Sequence, residues 1–143
     1  MMVLKEPPKL LESVGYLLSR IGSESRRRFV DALLEHDLAL SAYSALMVVG
    51  SAPGVTQRQL ATAIGIDPRN LVPILDDLAL SGLVARLSHP VDRRRHVMTL
   101  TPAGRAKLAR LREVGSRVEL AFLKPLSAAE RKQLLALLRK LMA

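Results

Sequence analysis

Three consecutive arginines, Arg93, Arg94 and Arg95, follow Asp92 in the stretch SHPVDRRR, which lies between two runs rich in β-forming residues, LVARL and HVMTL. Guanidinium groups at this density suit a polyanion. A long-stemmed arginine at a hairpin tip fits a narrow, electronegative minor groove, and Arg94 is the candidate for that position. Arg93 and Arg95 project elsewhere on a ribbon and are candidates for phosphate. Asp92 would be repelled by phosphate, so it is expected to orient an arginine or to cap the turn. Upstream, Arg69 and Asn70 open the segment DPRNLVPILDDL, and both types make bidentate contacts with base edges, Arg with guanine and Asn with adenine. Asn70 has an equally simple reading as a helix cap. Thr56, Gln57 and Arg58 open the segment before it, whose first amides and hydroxyl suit a phosphate. Ser44 is a further phosphate candidate.

The elements that must position these side chains are helical, with one short ribbon. Leu10, Val14, Leu17, Leu18 and Ile21 recur at helical spacing, and Phe29 and Leu33 resume the stripe. This predicts one long helix from Pro8 to about Glu35, bent near Gly22, with Arg26, Arg27 and Arg28 on a solvated face. Ser41 is expected to cap a second helix, SAYSALMVVG. Thr56 and Gln59 then stand at capping-box spacing, and Leu60, Ala61 and Ile64 form the inner face of a third helix. A tight turn at Gly65-Ile66 leads into DPRNLVPILDDL, whose inner face is Leu71, Ile74, Leu75 and Leu78. The order is helix, turn, helix, followed by a hairpin with a basic tip.

Pro73 interrupts this last helix, and two starts accommodate it. With Asp67 as cap and Pro68 first, Pro73 is the sixth helical residue and the Arg69 carbonyl loses its donor. With Asn70 as cap, Pro73 is third, where an amide has no helical partner anyway. On either start Pro73 lies on the outward side with Arg69 and offers an apolar ring to a thymine methyl. Asp76 and Asp77 are expected to turn away from DNA, one of them pairing with Arg86 to brace the hairpin. Thr101-Pro102 restarts a helix, along which Leu108, Leu111, Gly115, Val118 and Phe122 form a coiled-coil-like seam. Lys124-Pro125 stops it. Ser127 and Glu130 form another capping box, ahead of a last helix lined by Leu134, Leu137, Leu138 and Leu141.

Composition sets the limits. A chain of 143 residues is one ordinary domain, and 49% hydrophobic content with two Phe, two Tyr and no Trp calls for a core of Leu, Val, Ile and Ala. Lys plus Arg number 22 against 13 Asp plus Glu, a formal charge of +9. Residues 86–117 hold nine basic and two acidic residues, +7 of that +9, so the surplus collects around the hairpin and the helix after it. Phosphate backbones and anionic membranes are the partners such a balance favours. The absence of Cys excludes disulfides and thiolate metal sites. His36, His89 and His96 lack i, i+4 spacing, so neither a metal nor any other cofactor is expected. With no phosphate-cradling glycine loop, nucleophile elbow or His–carboxylate cluster, no enzyme is expected. The N-terminus lacks a signal-peptide pattern, which predicts a cytoplasmic protein without a membrane partner.

Taken together, TQRQLATAIGI, LVPILDDLALSGLVAR, DRRRHVMTLTPAGR and LSAAERKQLLALLRKL resemble the MarR family of bacterial transcriptional regulators over nearly the whole chain. The most specific part is Asp92-x-Arg94 followed by Leu100-Thr101-x-x-Gly104. The resemblance implies a mostly α fold with a small β-hairpin wing, an α+β winged helix-turn-helix with long N- and C-terminal dimerisation helices. Residues 1–143 would form a single domain, with dimerisation helices at 8–36 and 102–143 and a DNA-binding lobe at 41–101. It further implies a homodimeric repressor or activator on a pseudo-palindromic operator in double-stranded DNA, and a small aromatic or anionic effector that weakens binding. Tyr16, Tyr43 and Arg86 are the candidate lining of an effector pocket. The competing reading is a winged-helix protein-interaction module without sequence-specific DNA binding, motivated by Pro73 and the acidic pair.

Overall fold

The computed structural model describes residues 8–143. A short 3-10 turn, Pro8–Glu12, precedes α1 (Val14–Leu34), α2 (Leu40–Ser51), β1 (Val55–Thr56), α3 (Gln57–Ile64), α4 (Pro68–Leu80), β2 (Val84–Ser88), β3 (His96–Leu100), α5 (Pro102–Phe122) and α6 (Ala128–Met142). The architecture is mostly α with a small antiparallel sheet, as the sequence predicts. Two compact units result among the described residues, one made of those up to Asp31 with Gly115–Ala143 and the other of Ala32–Val114.

Several boundaries differ from the sequence expectation for local reasons. The first stripe splits: Ser13 separates the 3-10 turn from α1, and its hydroxyl accepts the Tyr16 N–H at 3.2 Å. Ser41 does not cap α2, because the helix begins one residue earlier, at Leu40, with Ala39 at the cap and no side-chain cap bond. The hairpin gains a third strand, since β1 pairs with β3 (Val55↔Met98, Thr56↔Val97) to give the order β1-β3-β2. Two residues are too short to show a period of two in sequence. β2 and β3 pair over their full length, from Val84↔Leu100 to Ser88↔His96.

The two units bury their apolar residues very differently. In the Ala32–Val114 unit, Leu46, Leu60, Leu71, Leu75, Met98 and Leu111 are each completely buried, and they join α2, α3, α4, the sheet and α5 into one core. Among the described residues, every buried apolar side chain lies between Leu33 and Leu111. In the other unit, α6 carries two-turn runs of leucine with none buried, and Arg28 stacks 5.1 Å over the Phe122 ring. There Gly115 lets α5 approach α1: a Cβ at that position would stand 3.3 Å from the Phe29 ring. The basic run on α1 is neutralised in part on its own helix. Glu24 accepts from Arg27 at 2.8 Å and from Arg28 at 2.9 Å, and Arg27 also bridges to Asp31 at 3.0 Å. Those bonds, first from Arg27 and then from Arg28, lower the Glu24 pKa to about 2.

At the junction of α4, β2 and α5 the chain touches itself backbone to backbone. The Thr101 N–H donates to the Leu83 carbonyl at 3.1 Å. The Thr101 hydroxyl donates to the Gly82 carbonyl and accepts the Gly104 N–H. A Cβ on Gly104 would run into the Leu83 carbonyl, standing 2.9 Å from its carbon and closer still to its oxygen. The sequence marks this pair of residues, and the structure supplies the reason: only glycine allows α5 to start against that carbonyl. Gly104→Ala is therefore expected to destabilise the protein by about 1–3 kcal/mol, the usual cost of forcing atoms into a filled site, as measured by urea denaturation. A second expectation concerns Asp67, the α4 cap, whose carboxylate accepts from the Arg69 side chain and backbone and has its pKa lowered by those bonds. Because the folded pKa is depressed, the cap's contribution is present above the ordinary aspartate value of 3.8 and is lost as pH falls through the lowered value. The stability gap between the parent and Asp67→Ala should be full near neutrality and should shrink below that pH in parallel denaturation curves.

Candidate nucleic-acid interface

The helix-turn-helix is built by its caps. Thr56 and Gln59 close a reciprocal capping box on α3: the Thr56 N–H donates to Gln59 Oε1 at 3.0 Å, and the Gln59 N–H donates to Thr56 Oγ1 at 3.2 Å. The Thr56 oxygen is thus engaged as an acceptor, while its proton and the Gln57 and Arg58 amides of the first turn remain for an anion. Gly65 ends α3 with φ of 72°, the left-handed turn that sends the chain into α4. Asp67 caps α4 and Pro68 is its first residue, so the start at Asn70 is overturned: the Asn70 N–H donates to the Asp67 carbonyl at 2.9 Å, inside the first turn.

Pro73 consequently sits inside α4, and the helix continues through it to Leu80. The Arg69 carbonyl loses its donor, but it lies in the exposed first turn where water can replace that bond. Leu71, Leu75 and Leu78 face the core, leaving Arg69, Asn70, Val72 and Pro73 outward. Val72, 40% exposed, is an outward apolar residue that the sequence reading did not single out. Arg69 leans back onto its own cap, 3.2 Å from Asp67, with 91% of its side chain still exposed. Asp76 is held by Arg86 at 2.6 Å, which ties the outer side of α4 to the middle of β2.

The wing turn is held by Asp92. Its carboxylate accepts the Arg94 N–H at 3.1 Å and lies 3.4 Å from Arg94 Nε and 3.8 Å from Arg95 Nε. Its carbonyl accepts the Arg95 N–H at 3.0 Å. The arginines themselves stay in solvent, Arg94 with 93% of its side chain exposed. Arg93 is exposed as well. Arg94 and Arg95 curve toward α3, so that with Thr56, Gln57, Arg58 and His96 they line one cleft of about 720 Å³. Gln59, Thr62 and Ala63 complete its α3 wall. The signal for them was available as the outward i, i+3, i+4 face of α3.

Other sequence candidates are not brought to this cleft. The Ser44 hydroxyl is half-buried and donates to the Leu40 carbonyl of its own helix at 2.9 Å. Tyr16 lies in one unit and Tyr43 and Arg86 in the other. None of the three lines the cleft or the second cavity, of about 530 Å³, where His36, Ser41, Asp77 and Lys107 meet. Among the described residues no three His, Cys, Asp or Glu side chains form a metal-binding group, and no helix is long and apolar enough to cross a membrane.

Known proteins share this arrangement. The sequence model of the MarR family matches residues 36–95. A putative transcriptional regulatory protein for the hcr operon of Thauera aromatica is 37% identical over 99 residues, 69% of this chain and 60% of that protein. An HTH-type transcriptional repressor of Mycobacterium tuberculosis is 30% identical over 128 residues, 90% of this chain and 92% of the repressor. A structure of that mycobacterial protein in complex with p-aminosalicylic acid superposes with a TM-score of 0.76 and 28% identity, over 92% of this chain and 99% of the other. The transcriptional repressor CouR, in its structure bound to a 23-mer DNA duplex, superposes with a TM-score of 0.82 and 32% identity, over 99% of this chain and all of that one. With a winged helix-turn-helix of this geometry and this identity across nine tenths of a repressor, the chain belongs to the MarR family of transcriptional regulators, which are not enzymes.

Proposed function

We propose that this protein is a homodimeric DNA-binding regulator that represses transcription from a pseudo-palindromic operator. The observation that carries the reading is the cleft in which Arg58 at the start of α3 and Arg94 and Arg95 of the wing face one space. Such a surface suits a phosphate backbone running between helix and wing. α4 then enters the major groove with Arg69, Asn70, Val72 and Pro73 toward the bases, and Arg94 reaches the adjacent minor groove. Thr56 and Gln57 meet phosphate through the first turn of α3, and Arg93 and Arg95 do so along the wing. Ser44 is the weakest of these contacts, since its proton is already engaged. The Asp76–Arg86 bridge gives the acidic side of α4 a partner within the protein, which removes the main motive for reading the fold as a protein-interaction module.

Dimerisation is supported by surface chemistry. Leu120, Leu135, Leu137, Leu141 and Met142 are all about half exposed or more on α5 and α6, as are Val14 and Ile21 on α1. Apolar area of this extent is rarely left in water. A two-fold dimer through these helices would bury it and present two wings to two half-sites. A small aromatic or anionic effector is the remaining part of the reading. Its support is the mycobacterial relative's p-aminosalicylic acid complex, and the cavity near Lys107 has room for a molecule of that size.

Fluorescence anisotropy against the DNA upstream of the protein's own coding region tests the DNA contacts. Arg94→Ala should weaken operator binding by about tenfold or more with unchanged thermal stability, and Arg58→Ala should lower the salt slope by about one. An Arg94→Ala protein that bound like the parent would remove the wing from the reading. Sedimentation should return a dimer for the parent and a shift toward monomer for Leu137→Glu combined with Leu141→Glu.

A further inference from the structure

The wing turn is closed at its base by a histidine. The His89 N–H donates to the Arg95 carbonyl at 3.0 Å, and the half-buried imidazole accepts two backbone N–H groups on Nδ1, those of Val91 and Asp92, each at 3.1 Å. Val91 is 89% exposed, so apolar packing does not fix this segment and the imidazole does. One residue further, the Asp92 carboxylate takes the Arg94 N–H and approaches its Nε. The order of dependence is imidazole, Asp92 backbone, Asp92 carboxylate, Arg94 guanidinium.

An imidazole nitrogen accepts a hydrogen bond only with its lone pair free, which here places the single ring proton on Nε2. We propose that His89 is a positioning residue of the wing: as the neutral Nε2–H tautomer it staples the Val91 and Asp92 amides and thereby aims Arg94, and its protonation releases the tip. The proposal rests on the wing being a DNA contact. On protonation, Nδ1 would carry a hydrogen facing two N–H donors, and neither bond survives. The charged groups of the same turn are the Asp92 carboxylate and the guanidinium groups of Arg93, Arg94 and Arg95, and His96 stands opposite Ser88 on the paired strand. Asp92 is the one carboxylate among them. An imidazolium would draw it away from Arg94, which adds to the loss. His96 lines the cleft, so its own protonation adds positive charge toward DNA and acts in the opposite direction.

His89→Asn replaces the Nδ1 acceptor by a carboxamide oxygen that serves the same two amides, as Asn does in turns generally, and it does not titrate. Operator binding by the parent, His89→Asn, His89→Ala and Arg94→Ala is compared by anisotropy between pH 5 and pH 8 at fixed ionic strength. Near pH 8, His89→Ala should bind about three- to tenfold more weakly than the parent, the scale of one or two lost hydrogen bonds, and His89→Asn should bind like the parent. On acidification the parent should lose affinity relative to His89→Asn, a comparison that cancels the contribution of His96. Long-range 1H–15N correlation on the free protein should show His89 in the Nε2–H tautomer. Parallel pH profiles for parent and His89→Asn, or an averaged tautomer at His89, would overturn the proposal even where Arg94→Ala weakens binding. An Arg94→Ala protein with parental affinity would instead overturn the reading of the wing on which it rests.

Discussion

The winged helix-turn-helix depends on the contact between the start of α5 and the Gly82-Leu83 backbone. Two hydrogen bonds from Thr101 to that segment, a third from the Gly104 N–H to the Thr101 hydroxyl, and a glycine without a Cβ bring Thr101 and Gly104 against it. It lies immediately after α4 and immediately before β2, while Thr101 directly follows β3. A single backbone clasp therefore sets the end of α4, the base of the wing and the first turn of α5. A shift of an ångström here would move the end of α4 and the base of the wing together, because both join the chain through this segment. The Asp76–Arg86 bridge at 2.6 Å acts in parallel from the outer side, where partial exposure and screening make it a guide to geometry more than a source of stability.

The wing turn is organised by hydrogen bonds within its own few residues. Within four residues of Ser88 the chain has placed an imidazole, His89, and a carboxylate, Asp92, so that the backbone of the turn is satisfied locally, while the Arg94 side chain remains almost wholly in water. Keeping the backbone ordered and the cations solvated would lower the entropy cost of binding an anionic partner. The concentration of +7 of the net +9 in residues 86–117 gives the same region the long-range pull toward a polyanion.

The two units represent different solutions to the same composition. One closes a leucine core over itself, with Leu46, Leu60, Leu71, Leu75 and Leu111 fully out of solvent. The other displays its leucines, with none of the α6 side chains buried. Its order is held instead by caps at Ser127 and Glu130 and by ion pairs around Glu24. Such pairs support α1 as a helix along its polar face, while apolar side chains such as Val14 and Ile21 stay in solvent.

The sequence by itself determined the elements and most of their ends, because caps, prolines and apolar periods are local physics. The capping boxes at Thr56 and Ser127, the Asp67 cap, the hairpin strands and the stop before Pro125 are legible from neighbours three or four residues apart. So was the wing pair of Asp92 and Arg94, since an acceptor two residues before an arginine can reach its amide. Tertiary structure decided what depends on distant neighbours. It showed that Val55 and Thr56 pair with β3 as a third strand, that a Cβ on Gly104 would meet the Leu83 carbonyl, and that Arg94 and Arg95 share a cleft with α3. It chose Asp67 over Asn70 as the cap, since the Asp67 carboxylate takes the Arg69 N–H and its carbonyl takes the Asn70 N–H. It also gave His89 a purpose that spacing alone could not reveal, because an imidazole becomes an acceptor for two amides only once the turn has folded around it.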